Sequence, residues 1–110
     1  MSERIKRINE LIKHEINQLL LREIEFDDAL VTIIDVETSP DLKYAKIKII
    51  IYPESQNAEV FEKLEKNIYF IQQGLNKRLK MKWVPKIKFE LDKIESHAQE
   101  VEKVLQEIKK

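Results

Sequence analysis

The 110-residue chain predicts an α+β fold, with helices packed on one face of a three-stranded sheet. Three observations predict it. Apolar residues recur at three- and four-residue spacing in 5–20, 60–79 and 94–108, the signature of helices with one buried side. They alternate with polar residues around 45–51 and 87–91, as in half-buried strands. Prolines at 40, 53 and 85 punctuate the boundaries. A hydrophobic share of 43% is enough for one core and a charged share of 36% for a well-solvated surface, so the expectation is a single domain over 1–110.

The first helix is expected from Ser2, a plausible N-cap, to about Arg22, with Ile5, Ile8, Ile12, Ile16, Leu19 and Leu20 on its stripe. Arg4, Lys6, Arg7 and Lys13 fall largely off that stripe. An acidic connector at 25–28 follows. The β-branched run 30–38 reads as a strand. Ser39-Pro40-Asp41 favours a tight reversal, with Asp41 organising the turn. The next strand, 43–52, turns Ala45, Ile47, Ile49 and Ile51 one way and Tyr44, Lys46, Lys48, Ile50 and Tyr52 the other, closing a hairpin.

After Pro53, with Ser55 or Asn57 as cap, Val60, Phe61, Leu64, Ile68, Ile71, Leu75 and Leu79 carry a helical stripe to about Met81. A bend is expected at Asn67, Ile68 and Tyr69, because asparagine tolerates unusual backbone angles. Gly74, which costs about 1 kcal/mol against alanine inside a helix, is the alternative position for it. Trp83-Val84-Pro85 ends the helix, and Ile87, Phe89 and Leu91 form a third strand's inner face. A last helix, about 94–110, is acidic at first and lysine-ended, with fraying expected toward the terminus. The order α-β-β-α-kink-α-β, plus the C-terminal helix, matches a type II KH domain.

Composition excludes several chemistries. No cysteine means no disulfide, thiolate chemistry or zinc–thiolate site. Gly74 is the single glycine, so no phosphate-cradling loop exists and nucleotide hydrolysis is not expected. Asp35, Glu37 and Asp41 cluster around the turn, but Asp41 organises the turn and Glu37 is expected to face water or an adjacent lysine, and no metal is expected. His14 and His97 lack partners at catalytic spacing and are expected on the surface. No cofactor is implied, and the chain is read as a non-enzyme. No stretch has the length and apolar density to span a bilayer, and the charged start MSERIKRI is unlike a secretory signal, so a cytoplasmic location is expected.

Charge is strongly segregated. Residues 66–89 hold seven basic side chains (Lys66, Lys77, Arg78, Lys80, Lys82, Lys86, Lys88) and no Asp or Glu, in a chain of net charge zero. Solvated helices normally interleave both signs, so an acid-free band suggests a polyanionic partner, most commonly nucleic acid. Overall neutrality argues against indiscriminate coating of nucleic acid. Trp83 is expected half-buried against the core, with stacking of Trp83 or Tyr69 on an unpaired base as the second reading.

Three runs share a resemblance: Arg22-Glu23-Ile24; Val36-Glu37-Thr38-Ser39-Pro40-Asp41-Leu42 through Ala45-Lys46-Ile47; and Leu79-Lys80-Met81-Lys82-Trp83-Val84-Pro85-Lys86-Ile87-Lys88-Phe89. Over about 4–105 the chain resembles ribosome-binding factor A, a bacterial small-subunit maturation family. The resemblance implies a KH type II fold without catalysis. It implies binding to the immature small ribosomal subunit and its ribosomal RNA near the junction of head, platform and 3′ end. It further implies help with late maturation and processing, support for growth in the cold, and release often aided by a GTPase. Lys77, Arg78, Lys80, Lys82, Lys86 and Lys88 are the expected RNA-backbone contacts, and the free protein is expected to be a monomer. The chain departs from the family pattern at the kink, where Asn67-Ile68-Tyr69 replaces Ala-x-Gly, and at Gln72 and Lys82, where arginine is usual. Lys86 stands where a glutamate is usual. The alternative reading is a protein–protein adaptor or accessory subunit with a KH-like fold and no RNA role.

Overall fold

One apolar stripe organises the inner layer. In the computed structural model, which describes residues 3–93, α1 (Glu3–Glu23) buries Ile8, Ile12, Ile16, Leu19 and Leu20. Each such side chain contributes about 1.5–3 kcal/mol when removed from water. The expected Ser2 cap, His97 and the helix at 94–110 lie outside the described residues. α1 packs on β1 (Leu30–Thr38) and on α3 (Ile68–Arg78). Past α1, Asp27 turns the chain at φ 54, a left-handed conformation that aspartate tolerates.

β1 pairs antiparallel with β2 (Tyr44–Tyr52), from Leu30↔Tyr52 to Thr38↔Ala45. A bulge between Ile33 and Asp35 inserts an extra residue, so Ile33 and Val36 both reach the core although three apart. β3 (Lys86–Leu91) joins the far side of β2 in parallel, giving the order β1-β2-β3. Ala45, Ile47, Ile49 and Ile51 of β2 meet Ile87 and Phe89 of β3 under the helices. Tyr44, Lys46 and Lys48 occupy the outer face, as alternation predicts; Ile50, on the same pleat opposite Thr32, is buried.

A 3-10 turn (Glu54–Gln56) leads into α2 (Asn57–Lys66). The break before α3 is a single residue, Asn67, at φ −100, ψ 8. Its N–H donates to the Lys63 and Leu64 carbonyls, its carbonyl accepts from Ile71 N–H, and its side-chain amide donates to Lys63 O at 2.8 Å. The backbone groups a kink exposes are thus satisfied locally, at a negative φ that needs no glycine. Lys63 is held across the α1–β1 connector: its ammonium donates to the Glu25 carbonyl and lies 5.8 Å from the centre of the Phe26 ring.

α3 runs unbroken through Gly74, whose role is close approach. A Cβ there would lie 2.8 Å from Leu19 Cδ2, and Leu19 is buried. The helix stops at Arg78, short of the expected Met81. Leu79 turns to an extended conformation (φ −89, ψ 128) and drops into the core. Beyond it no apolar residue continues the buried stripe, since the one four positions on, Trp83, is solvent-exposed. Pro85 also disfavours helix at Val84. Gln72 then fixes the start of β3. Its Nε2 donates to Pro85 O (3.0 Å) and its Oε1 accepts from Ile87 N–H (2.8 Å).

The β1–β2 connection is a turn built from side chains. Leu42 N–H donates to Ser39 O (2.8 Å), with Pro40 and Asp41 at the two central positions. Asp41 Oδ1 accepts from the Ser39 hydroxyl (2.6 Å) and from Lys43 N–H (3.1 Å). Ser39 Oγ accepts from Tyr44 N–H. These bonds hold Leu42 at φ 63, a left-handed angle that costs a bulky residue about 1–2 kcal/mol. They also draw the Asp41 carboxyl below the ordinary aspartate value, the Ser39 hydroxyl bond being the main cause and the Lys43 N–H the next.

Two outcomes follow. Gly74→Ala, which would stabilise an open helix by about 1 kcal/mol, is expected to destabilise this protein by about 1 kcal/mol, because buried Leu19 must move; chemical denaturation measures the sign, and a more stable variant refutes the close contact. Asp41 binds its proton less readily folded than unfolded. Its contribution to stability is therefore present above about pH 4 and fades as pH falls through its depressed folded value. The stability gap between the parent and Asp41→Ala should close over that acid interval in a pH series of melts; a gap that persists to the lowest pH contradicts the turn's charge dependence.

Candidate nucleic-acid interface

Because β3 is parallel to β2, it begins beside the residues that begin β2, and Lys86 N–H donates to Lys43 O at 2.9 Å. The β1–β2 turn, the 79–85 connector and the first turn of α1 therefore meet at one end of the sheet. Between them lies a groove of about 810 Å³. Its basic side chains are Arg4, Lys43, Lys80 and Lys82, and its one carboxylate is Asp41. Leu42, Met81 and Val84, half-buried against the core, form its apolar floor.

The six expected contact residues divide into three groups. Lys80 and Lys82 line the groove, from the 79–85 connector and not from a helix. Lys86 and Lys88 lie on the outer sheet face, in register with Tyr44 and Lys46. Lys77 and Arg78 end α3, where Arg78 reaches Glu15 of α1 at 3.5 Å. Among the described residues no carboxylate lies within salt-bridge distance of Lys77, Lys80, Lys82, Lys86 or Lys88. Lys66, at the start of the acid-free band, is apart from these. It pairs with Glu62 at 3.1 Å and lines a separate depression beside α2.

The neighbouring sheet lysines are neutralised. Lys46 meets Glu90 at 3.4 Å and Lys48 meets Glu37 at 2.9 Å. The Glu37 hydrogen bond raises the Lys48 pKa above the ordinary lysine value. Of the two placements expected for Glu37, water or an adjacent lysine, the structure shows the lysine.

Trp83 corrects the sequence reading: its side chain is 77% exposed and forms part of the groove wall instead of the core. The flanking Met81 and Val84 pack against the core in its place, and Gln72 binds Pro85 O and Ile87 N–H just beyond it. Tyr69, at the kink, is 75% exposed; Ile68 between it and Asn67 packs against the core. Arg4 and Lys43 were not singled out in sequence as contacts. Arg4 carried a signal, its position off the apolar stripe, but only the topology brings it to Lys80 and Lys82. The arrangement offers point charges for phosphate oxygens and one exposed aromatic face.

A profile described as ribosome-binding factor A matches residues 4–105. A ribosome-binding factor A from Caldanaerobacter subterraneus subsp. tengcongensis is 35% identical over 113 residues, spanning 100% of this chain and 93% of that protein. The crystal structure of ribosome-binding factor A from Thermus thermophilus superposes with a TM-score of 0.62 at 19% identity, over 79% of this chain and 94% of that one. A Thermus thermophilus ribosome binding factor A homology model, fitted into the cryo-EM map of a 30S complex, gives a TM-score of 0.61 at 17% identity, over 83% and 93%. The two structural likenesses establish the shared fold, and the profile match with the 35% identical relative establishes the kinship: the chain belongs to the ribosome-binding factor A family.

Proposed function

We propose that this protein is a ribosome assembly factor that docks on the immature small ribosomal subunit and assists late maturation of its RNA near the 3′ end. The observation that carries the reading is the cluster of cationic groups without a salt-bridge partner among the described residues, at one end of a neutral protein: Lys80 and Lys82 in the groove with Arg4 and Lys43, and Lys86 beside them. Family membership and the relative fitted into a 30S map support it. Lys77, Arg78 and Lys88 extend the contact along α3 and the sheet. Folded ribosomal RNA is met through shape and backbone more than through base sequence.

The protein works by binding energy alone, as one non-catalytic domain without cofactor, monomeric when free and cytoplasmic. It favours the RNA arrangement it binds best, and the shift is bounded by the difference in its affinity for the two arrangements. Its release is coupled to completion of the subunit, with a ribosome-associated GTPase as the expected partner. No described helix is long and apolar enough to cross a membrane.

The test is co-sedimentation with small subunits from cells lacking the factor. Retention on immature over mature subunits is expected, weakening as salt rises. Changing Lys77, Lys80 and Lys82 together to Glu should lower retention at least about tenfold and flatten the log–log salt dependence by about two to three units of slope. All three side chains are exposed or border the groove, so the circular dichroism spectrum should not change. Retention unaffected by the triple change would favour the adaptor reading.

A further inference from the structure

Two features of the groove are not explained by phosphate contact. The first is Trp83, the chain's single tryptophan, which keeps its indole in water at the groove wall. An ammonium cluster that held only phosphate would gain nothing from a flat apolar ring beside it. The second is Asp41, a carboxylate among Arg4, Lys43, Lys80 and Lys82, where it repels any phosphate. Turn formation occupies its Oδ1, which accepts from the Ser39 hydroxyl and Lys43 N–H. Its Oδ2 has no hydrogen-bond partner among the described residues.

We infer that the groove is a subsite for one unpaired guanine nucleotide of RNA, with the base stacked on Trp83, its N1–H and N2–H both donating to Oδ2 of Asp41, and its flanking phosphates on Arg4, Lys80 and Lys82. The inference rests on the reading of RNA as the partner and names what part of the RNA the groove takes. A volume of about 810 Å³ lies within the ~300–1,000 Å³ range of small-ligand sites. Unstacked bases are held by aromatic faces and read on their Watson–Crick edges.

The choice of guanine follows from donor geometry. An ionised carboxylate only accepts hydrogen bonds. Guanine alone presents two adjacent donors on its pairing edge. Adenine and cytosine place a ring-nitrogen acceptor beside the amino group, and uracil flanks its N3–H with two carbonyl oxygens, so each sets a lone pair against the carboxylate. The Ser39 and Lys43 bonds that lower the Asp41 pKa keep it ionised at neutral pH and fix its direction without using Oδ2.

Trp83 is its own reporter. Its fluorescence in the full chain is to be titrated with uridine heptamers carrying a central guanosine, adenosine, cytidine or uridine, and with a blunt RNA duplex of similar charge. The expected result is quenching by the single strands and not by the duplex, with the guanosine heptamer binding about tenfold tighter than the all-uridine one. Asp41→Asn keeps an Oδ1 acceptor for Ser39 and Lys43 but converts the Oδ2 position to a donor. It should bring the guanosine and uridine heptamers to within about twofold of each other, with Trp83 still quenched. Equal affinities in the parent, or a guanosine preference that survives in Asp41→Asn, overturns the base assignment. Absence of quenching by every heptamer overturns the subsite. If the protein is nevertheless retained on immature subunits, this inference alone has failed; if retention is lost as well, the RNA reading fails with it.

Discussion

Parallel pairing between β2 and β3 decides where each connection of this molecule can lie. A strand parallel to its neighbour cannot be reached by a hairpin, so the chain must cross over the sheet and return to the end where the neighbour began. Here α2 and α3 make that crossing, and Lys86 arrives beside Lys43 and Tyr44. The 79–85 connector is thereby set against the β1–β2 turn, and α1, packed along β1 and α3, brings Arg4 to the same place. Reversing β3 would carry Lys80 and Lys82 away from Lys43 without changing one residue. The supports of this junction are specific: the Gln72 amide across Pro85 and Ile87, the Ser39–Asp41 turn, and the Gly74–Leu19 contact that lets α3 lie close to α1.

The same topology sorts the charges. A chain of net charge zero could spread its lysines among its acids. Instead most ion pairs among the described residues fall elsewhere: Lys46–Glu90 and Lys48–Glu37 across the outer sheet face, Lys66–Glu62 along α2, and Arg78–Glu15 between helices, while Lys6–Glu3, at 3.9 Å, lies at the start of α1. Exposed pairs of this kind add at most about 1 kcal/mol each to stability. Their larger effect is on the field. They neutralise Lys46 and Lys48 on the sheet face and leave Lys80, Lys82, Lys86 and Lys88 without a carboxylate in salt-bridge distance among the described residues. An acid-free stretch of sequence is thus a necessary but incomplete description of the surface, since Lys66 belongs to the stretch and not to the groove, while Arg4 and Lys43 belong to the groove and not to the stretch.

What could be read before folding was what depends on local pattern. The apolar stripe of α1, the alternation in β2 and the β-branched run of β1 are each repeated several times within their elements, so the pattern survives a misleading residue or two. The turn at Ser39-Pro40-Asp41 was legible because each residue acts on its own backbone. The bulge at Ile33–Asp35 was not, because an inserted residue shows only against its partner strand. The end of α3 was overestimated by about three residues: lysines at 80 and 82 suit a helix as well as a loop, and only the burial of Leu79 and the exposure of Trp83 decide. Trp83 was misplaced for the complementary reason. A lone tryptophan is normally assigned to the core by its size, and here its neighbours Met81 and Val84 pack there in its place, a tertiary fact.

The departures from the family pattern bear on the proposal that this surface holds RNA. Asn67 takes the kink at φ −100, and both its N–H and its side-chain amide donate to the Lys63 carbonyl, so no glycine is needed to form the bend. A glycine two residues on would, however, leave bare backbone at the surface, and Tyr69 fills that space with an exposed ring. The surface presented at the kink is therefore an aromatic side chain and not bare backbone. At position 72 an arginine would carry a planar, bidentate grip on phosphate; glutamine cannot, and its amide is already bound to the start of β3. Neither position supplies a guanidinium, and the cationic groups of the groove nearby are ammonium point charges, Lys80 and Lys82 among them, together with Arg4. Point charges fix no orientation by themselves. A chain that relies on them needs another element to set the register of its ligand, and in this structure the groups with directional preference beside them are the indole of Trp83 and the pinned carboxylate of Asp41.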